Sequence, residues 1–311
     1  MIVTVTLNPA LDLTLEVDGW VLGEVNRATK VGKVAGGKGI NISRVLRELG
    51  EVTTALTILG TDSVAEFRRL AREAGCPIIY INVPGEVRTN IHLVDPGKPA
   101  SLKVNQPGTP LSESQFHHFM LLYRQQLKGA RFVCMGGSLP PGCPTDTYAQ
   151  LASLCAEQEI PVLIDAGGEA LRHALVFKPL IAKPNRRELE DALERRLSSQ
   201  MEIYNGAREL QSLGARCAVV TDGDRPVLGV WDDEAWVAHP PAIHPKGVTG
   251  AGDSLAAGLV AGLQRGEPFA EALRLGVACG TACCLEEEHN VASRKNIDRI
   301  LAQVRVERWT G

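Results

Sequence analysis

The sequence contains no apolar run that approaches the roughly 18 residues of a transmembrane helix. It has no long basic run, and its formal net charge is −3, which argues against general nucleic-acid binding. No paired Cys-x-x-Cys spacing occurs among its eight cysteines. Several of them stand in apolar segments, so we expect buried free thiols rather than disulfides or a metal site. These absences predict a cytoplasmic protein whose partners are neither membranes nor nucleic acids.

The first residues, MIVTVTLNP, lack a basic segment and reach a proline early. We therefore expect a strand here rather than a signal peptide. No internal repeat, low-complexity tract or linker interrupts the 311 residues. A chain of this length can bury a full core as one large α/β domain or as two smaller ones, and we expect one domain over residues 1–311.

Segments rich in β-branched residues alternate with segments of helical periodicity along most of the chain. A strand at residues 2–7 precedes a predicted helix at about 39–49, and further helices are predicted from about 145, 169 and 186. Such alternation is typical of a parallel sheet covered by helices on both faces. We expect a three-layer α/β/α fold whose central sheet is mostly parallel.

Two segments depart from this alternation. Residues 12–34 and 86–106 alternate apolar and polar side chains without intervening helices, which predicts short antiparallel strands and one small accessory sheet. This sheet is either a pair of surface hairpins or a lid over the site. The sequence alone favours neither interpretation.

The stretch GVTGAGDSLAAGLVAGL, residues 247–263, joins a glycine turn to a helix. Gly247, Gly250 and Gly252 suit a tight turn of unusual backbone conformation, and Asp253 falls in the first turn of the helix. The helix carries a flat ridge of small residues, formed by Ser254, Gly258 and Gly262. The turn is either an ordinary helix start with an acidic residue or an anion site whose backbone N–H groups face a phosphate. In the second case Asp253 would accept a proton from an attacking hydroxyl.

The stretch GKVAGGKG, residues 32–39, matches most of a P-loop but has Gly39 where a P-loop carries Ser or Thr. The residues before it are also too polar for a buried strand. We therefore interpret it as a glycine-rich turn that presents Lys38 and Asn41 to a polyhydroxylated or anionic ligand.

Three weaker patterns follow predicted strands. Asn185 and Glu188 in AKPNRREL form either a capping box or an outer-shell site for hydrated Mg²⁺. Thr221 and Gly223 in VVTDGDRP form either a simple turn or a nucleotide contact. Arg88 is either a surface arginine or a bidentate phosphate ligand.

Together these stretches resemble the PfkB branch of the ribokinase-like sugar kinases over essentially the whole chain. The stretches GGKGINIS (36–43) and TGAGDSLAAGLV (249–260) are similar to the two signatures of the family. One departure is Gly247, which stands where the family usually has Asp, Asn or Ser. The stretches TLNPALD, EVNR, GSLPPG and KPNRREL resemble the phosphosugar kinases of that family.

The resemblance implies a ribokinase-like fold with a β-sheet lid and an ATP- and Mg²⁺-dependent kinase. The implied reaction converts fructose 1-phosphate to fructose 1,6-bisphosphate, with tagatose 6-phosphate or fructose 6-phosphate as the alternative acceptor. A catalytically silent sugar-phosphate sensor on the same fold is a further alternative. A dinucleotide-binding oxidoreductase is disfavoured, because no G-x-G-x-x-G turn follows the first strand. A family-like pairing of lids would make a homodimer.

The resemblance also implies roles at the phosphoryl-transfer end of the site. Asp253 is the expected catalytic base, beside a backbone anion hole formed by Gly250, Ala251 and Gly252. The expected ATP contacts are Lys183, Asn185, Thr221 and Gly223, although Asp222 replaces a residue that is usually apolar. The expected magnesium site consists of Glu188 and, through water, Asn185.

At the sugar end, the resemblance implies two groups of contacts. The expected contacts of the sugar are Asp12, Gly37, Asn41 and Ser138. The expected contacts of the sugar's own phosphate are Lys38, Arg88 and Arg27.

Overall fold

A computed structural model describes residues 1–97 and 101–311 of the chain. Residues 98–100, which belong to the predicted lid segment 86–106, lie outside the described residues. The strands are, in chain order, β1 Ile2–Thr6, β2 Ala10–Glu16, β3 Lys30–Gly36, β4 Thr53–Gly60, β5 Ile78–Val83, β6 Arg88–Val94, β7 Ser101–Asn105, β8 Phe132–Gly136, β9 Val162–Asp165, β10 Ile181–Ala182, β11 Cys217–Val220, β12 Val227–Trp231, β13 Glu234–His239 and β14 Arg305–Arg308. The helices are α1 Lys38–Glu48, α2 Val64–Glu73, α3 Glu113–Leu127, α4 Thr147–Ala156, α5 Gly168–Leu175, α6 Arg186–Leu193, α7 Gln200–Ser212, α8 Ala251–Gln264, α9 Phe269–Cys283 and α10 Arg294–Leu301.

The large sheet has the strand order β14-β13-β12-β11-β10-β9-β8-β1-β4-β5. Every neighbouring pair from β11 to β5 in this order is parallel, whereas β12, β13 and β14 extend the sheet with antiparallel pairs. All residues of β1 and β8 are buried, because helices cover both faces of a parallel sheet. The prediction of a mostly parallel central sheet is confirmed.

The helices form the two outer layers. One hydrophobic cluster joins α1, α8, α9 and α10 to one face of the sheet, through side chains such as Ile42 and Leu259. The other cluster joins the five helices α3, α4, α5, α6 and α7 to the opposite face, through side chains such as Phe119 and Leu189. The predicted three-layer α/β/α arrangement is therefore the one that the chain adopts.

The second sheet is small and has the strand order β3-β2-β6-β7. Its strands lie within or next to the two predicted segments, but β2 begins at Ala10 and residues 17–29 between β2 and β3 contain no strand. The pair β2–β6 is parallel rather than antiparallel. The inner side chains Leu11 and Ala35 belong to one hydrophobic cluster with Phe67 of α2 and Leu59 of β4, so this sheet packs on the side of the large sheet that holds β4 and α2.

Helices α8 and α9 approach each other closely through small residues. A Cβ atom added at Gly258 would lie 2.7 Å from the backbone oxygen of Leu275 and 2.9 Å from Cα of Gly276. The flat ridge predicted from the sequence is therefore the face that α8 turns toward α9. This packing fixes α8, whose first turn carries Asp253.

All eight cysteines are free thiols. Cys279 and Cys283 are both buried in α9, and burial raises the pKa of each thiol. Within the residues described, no helix combines the length and apolar character needed to cross a membrane.

The close approach of α8 and α9 predicts that Gly258→Ala lowers the free energy of unfolding by about 1–3 kcal/mol, because the added methyl group meets backbone atoms that cannot rotate away. Chemical denaturation would measure the change. Gly32→Ala is the matched control, since a Cβ at Gly32 would only touch Thr14 at 3.9 Å. Equal stability of both variants would contradict the packing argument.

Candidate active site

A cleft of about 240 Å³ lies between the large and the small sheet. It is bordered by the carboxyl ends of β1 and β8, by the first turns of α1 and α8, and by side chains of β2, β6 and β7. Open α/β sheets bind ligands at the carboxyl ends of their strands. The cleft therefore occupies the place at which this fold binds small molecules.

The glycine turn before α8 has one left-handed residue. Gly250 has φ +86° and is the N-cap of α8, whereas Gly247 and Gly252 do not have positive φ. Gly252 lies beside Lys183: a Cβ atom added at Gly252 would be 3.5 Å from Nζ of this lysine. The first backbone N–H groups of α8 have no partners within the helix, and of these the N–H of Ala251 donates a hydrogen bond of 3.4 Å to the backbone oxygen of Val248. The turn therefore offers backbone donors to an anion.

Asp253 lies in the first turn of α8 and is buried. Asn41 of α1 donates a hydrogen bond of 2.8 Å to its Oδ2. Burial and the nearby Asp165 carboxylate raise the pKa of Asp253 to about 6, although Lys38, Asn41 and Lys183 act in the opposite direction. A carboxylate with this pKa is ionised at neutral pH and able to accept a proton.

Asp165 at the end of β9 binds two lysines. Its Oδ1 is 2.7 Å from Nζ of Lys38, and its Oδ2 is 2.9 Å from Nζ of Lys183. Burial alone would raise the pKa of Asp165, but the two ammonium groups lower it below its usual value. Sequence reasoning missed Asp165; the available signal was its position at the end of the apolar strand PVLID.

Lys38 does not present a free ammonium group to the cleft. Besides Asp165, its Nζ lies 3.3 Å from Oε1 of Glu188. Burial lowers the pKa of Lys38, yet the charges of Asp165, Glu188 and Asp253 raise it above its usual value. The structure thus places the ammonium group of Lys38 among the carboxylates of Asp165, Glu188 and Asp253, whereas Arg88 is bound by backbone oxygens.

Asn185 and Glu188 form a complete capping box at the start of α6. The backbone N–H of Glu188 donates to Oδ1 of Asn185 at 2.9 Å, and that of Asn185 donates to Oε2 of Glu188 at 2.8 Å. This is the first of the two interpretations that the sequence left open. The second oxygen of Glu188 is the one that faces Lys38, so the same carboxylate also belongs to the site.

Thr221 lies next to the start of α6. It forms a parallel bridge with Asn185, and its backbone oxygen accepts a hydrogen bond of 2.8 Å from the backbone N–H of Arg186. Gly223 has φ +64°, as a tight turn requires. The unusual Asp222 pairs with Arg186 and Arg225, at 3.3 Å from each.

The expected sugar contacts all border the cleft. Asp12 of β2 is buried, and its Oδ1 accepts a hydrogen bond of 2.8 Å from Asn90. Burial raises the pKa of Asp12 despite the nearby His289 and Asn90. Ser138 accepts a hydrogen bond of 3.2 Å from Asn8. Gly37 and Asn41 border the same cleft.

The two expected arginines differ in position. Arg88 borders the cleft and donates to the backbone oxygens of Asn8, Pro9 and Gln106, at 2.9, 3.3 and 3.1 Å. These bonds fix the guanidinium group and leave N–H groups for a ligand. Arg27 is exposed in the segment 17–29 and does not border the cleft, so within one chain the structure does not bring it to the site.

Four side chains at or beside the cleft were not anticipated from the sequence: His92, Lys103 and His289, which border it, and Glu288, which contacts His92. Nδ1 of His92 lies 3.2 Å from Oε1 of Glu288, and Nδ1 of His289 lies 3.6 Å from Oδ2 of Asp12. Burial lowers the pKa of both histidines. These residues come from distant parts of the chain, and none belongs to a recognisable motif.

Comparison with known proteins shows what the chain is similar to. A family model described as pfkB family carbohydrate kinase matches residues 5–295. A 1-phosphofructokinase of Bacillus subtilis is 32% identical over 308 residues, which cover 99% of this chain and 100% of that protein. A 1-phosphofructokinase of Xanthomonas campestris is 35% identical over 265 residues, covering 84% and 83%. The structure of phosphofructokinase-2 from Escherichia coli in complex with fructose 6-phosphate has a TM-score of 0.87 and 28% identity, covering 97% and 98%. The chain belongs to the pfkB family of carbohydrate kinases and is a phosphotransferase.

Proposed function

We propose that this kinase transfers the γ-phosphoryl group of ATP to fructose 1-phosphate and forms fructose 1,6-bisphosphate. The observation that carries the proposal is the buried carboxylate of Asp253, which has a pKa of about 6 and stands in the first turn of α8 beside Gly250. A base and a row of backbone donors in one cleft suit phosphoryl transfer to a hydroxyl group. The 1-phosphofructokinases among its relatives support the choice of acceptor.

In the proposed reaction, Asp253 takes the proton of the attacking sugar hydroxyl. The backbone N–H groups of Gly250, Ala251 and Gly252 stabilise negative charge on the transferring group. Lys183 lies beside Gly252, and its ammonium group is paired with Asp165. Asn41 holds Asp253 in place through its 2.8 Å hydrogen bond.

ATP is proposed to approach from the carboxyl ends of β10 and β11, where Thr221, Gly223 and Asn185 lie together. Magnesium fits this region only through water, because Oδ1 of Asn185 and Oε2 of Glu188 already accept backbone hydrogen bonds. Mg²⁺ keeps most of its waters and prefers oxygen ligands, so Oε1 of Glu188 is the group that would bind its hydration shell. The ion would neutralise charge on the phosphates of ATP.

The sugar is proposed to bind between Asp12, Gly37, Asn41 and Ser138, with its own phosphate on Arg88. Lys38 is not proposed to bind that phosphate, because it is already paired with Asp165 and Glu188. The small sheet acts as a lid in this arrangement, since β2, β6 and β7 border the cleft. Among the described residues, two other cationic side chains border the cleft, Arg88 and Lys103. Neither of them is paired with Asp165.

Fructose 6-phosphate is a second candidate acceptor, because the similar phosphofructokinase-2 structure contains it. Tagatose 6-phosphate offers the same kinds of groups. A silent sensor would not need a proton acceptor beside its anion turn, so the buried Asp253 disfavours it.

A homodimer through the small sheet is also proposed. Several large apolar side chains on this sheet and its 17–29 segment are exposed, namely Val21, Leu22, Val25, Val31, Leu102 and Val104. Such a patch marks an interaction surface, and a second copy of the chain would cover it. The free thiols fit a reducing compartment, and we propose the cytoplasm.

A comparison of kcat/KM for fructose 1-phosphate, fructose 6-phosphate, tagatose 6-phosphate and fructose tests the proposal. Fructose 1-phosphate should be the best substrate, and fructose should lose roughly 10-fold or more because it lacks the phosphate that Arg88 binds. Arg88→Ala should impose a similar loss on the phosphosugar and leave the KM for ATP unchanged. Arg69→Ala, on the exposed face of α2, is the control. Equal activity toward fructose and its 1-phosphate would refute a phosphosugar kinase.

The role of Asp253 predicts that kcat falls as the pH drops below about 6, because the protonated carboxyl group cannot act as a base. Asp253→Asn should lower kcat by roughly 10²–10⁴ with little change in thermal stability, since the side chains have the same shape. Steady-state kinetics between pH 5 and 8 would measure both effects, because this range of about three units spans the pKa of Asp253. Near-normal turnover in the folded variant would remove Asp253 from the mechanism.

The two roles of Glu188 can be separated with Glu188→Gln, because glutamine still completes a capping box but carries no charge. The variant should need several-fold more Mg²⁺ for half-maximal activity and should keep its thermal stability. Glu202→Gln is the matched control, since Glu202 closes the corresponding box at the start of α7. An unchanged magnesium titration would leave Glu188 with its capping role alone.

A further inference from the structure

The loop between α9 and α10 touches the small sheet at three successive residues. Glu287 pairs with Lys30 at 2.8 Å. Glu288 lies 3.2 Å from His92 and 3.6 Å from Lys103. His289 approaches Asp12 at 3.6 Å. Of the three, Glu288 has a second set of contacts, to the turn before α8.

Glu288 holds the two residues that precede Gly250. Its Oε2 accepts a hydrogen bond of 3.2 Å from the backbone N–H of Val248, and its Oε1 accepts one from the hydroxyl group of Thr249. Thr249 in turn accepts a hydrogen bond of 2.8 Å from Nζ of Lys103 on β7. One carboxylate thus connects the start of α8 to the small sheet.

Gly247 makes room for this arrangement. A Cβ atom there would lie 2.5 Å from Oε2 of Glu288 and 2.9 Å from its Cα. Gly247 is also the position at which the stretch 247–260 departs from the family signature that it otherwise resembles. In this chain the carboxylate at the turn comes from Glu288, and glycine at 247 is the residue that allows its approach.

We propose that Glu288 is a positioning residue for phosphoryl transfer, orienting the turn that carries Gly250–Gly252 and linking that orientation to the small sheet through Thr249 and Lys103. The proposal rests on the proposed function of the turn as an anion hole. A turn that loses one of these bonds no longer holds its N–H groups at the transferring group, so kcat falls. Binding of the sugar, which uses Asp12, Asn41 and Arg88, changes less.

The same cluster does not require a metal ion. His92, Glu288 and His289 lie close enough together to hold one. However, both oxygens of Glu288 already accept hydrogen bonds, and the ammonium group of Lys103 lies 3.6 Å from Oε1. Lys103 therefore supplies the positive charge that a metal ion would bring.

Variants of Thr249 and Glu288 test the proposal kinetically. Thr249→Val removes the hydroxyl group and Glu288→Gln removes the charge, and each should lower kcat about 10-fold or more while the KM for the phosphosugar changes less than about threefold. Thr249→Ser restores the hydroxyl group and should recover most of the turnover. Glu287→Gln is the matched control, because it breaks the adjacent ion pair with Lys30 without touching the turn; its kcat should stay within about twofold of wild type.

Hydrogen exchange gives a second readout that does not depend on turnover. Amides of residues 247–253 should exchange several-fold faster in folded Thr249→Val and Glu288→Gln than in wild type or Glu287→Gln. Wild-type protection together with wild-type kcat in both variants would overturn the proposal. An equal loss of kcat in Thr249→Ser and Thr249→Val would overturn it as well, because the hydroxyl group would then be irrelevant. If the wild-type protein phosphorylates no sugar phosphate, the proposed function fails, and the exchange rates alone decide whether Glu288 positions the turn.

Discussion

Asp165 is completely buried at the end of β9, with Lys38 on one of its oxygens and Lys183 on the other. A buried carboxylate is tolerated when opposite charges surround it, and removing one partner of such a pair typically costs about 3–5 kcal/mol. The two ion pairs of Asp165 therefore connect β9 to the start of α1 through Lys38 and to the end of β10 through Lys183. Glu188 extends the same network to α6 through Lys38. The start of α1 thus meets β9, β10 and α6, which are more than 100 residues away in the chain, at these charges.

The network also sets the electrostatic environment of Asp253. Asp165 and burial raise the pKa of Asp253, and the two lysines limit the rise. Lys183 at the same time lies beside Gly252 in the first turn of α8. One set of buried charges thus affects both Asp253 and the first turn of α8, whereas Arg88 lies apart from it and is held by backbone oxygens.

The sequence predicted those features that depend on local pattern. The α/β alternation, the small-residue face of α8 and the capping box at Asn185 each arise within a short stretch of chain, and the structure contains all three. It could not predict the partners of Lys38, because a glycine motif shows that a lysine is present but not which distant carboxylates it will meet. The cluster of His92, Lys103, Glu288 and His289 was missed for the same reason. The parallel pairing of β2 with β6 was missed because alternation along a strand does not indicate the direction of its neighbour.

Glu288 fills the space that a side chain at position 247 would need, and this restricts which substitutions the two positions tolerate. Any side chain at 247 would collide not only with the carboxylate of Glu288 but also with its Cα and backbone nitrogen, at 2.9 and 3.0 Å. Shortening residue 288 alone therefore does not make room for aspartate at 247; the backbone of the loop between α9 and α10 has to move as well. In this chain a side chain at 247 therefore requires the loop between α9 and α10 and the turn before α8 to change shape together.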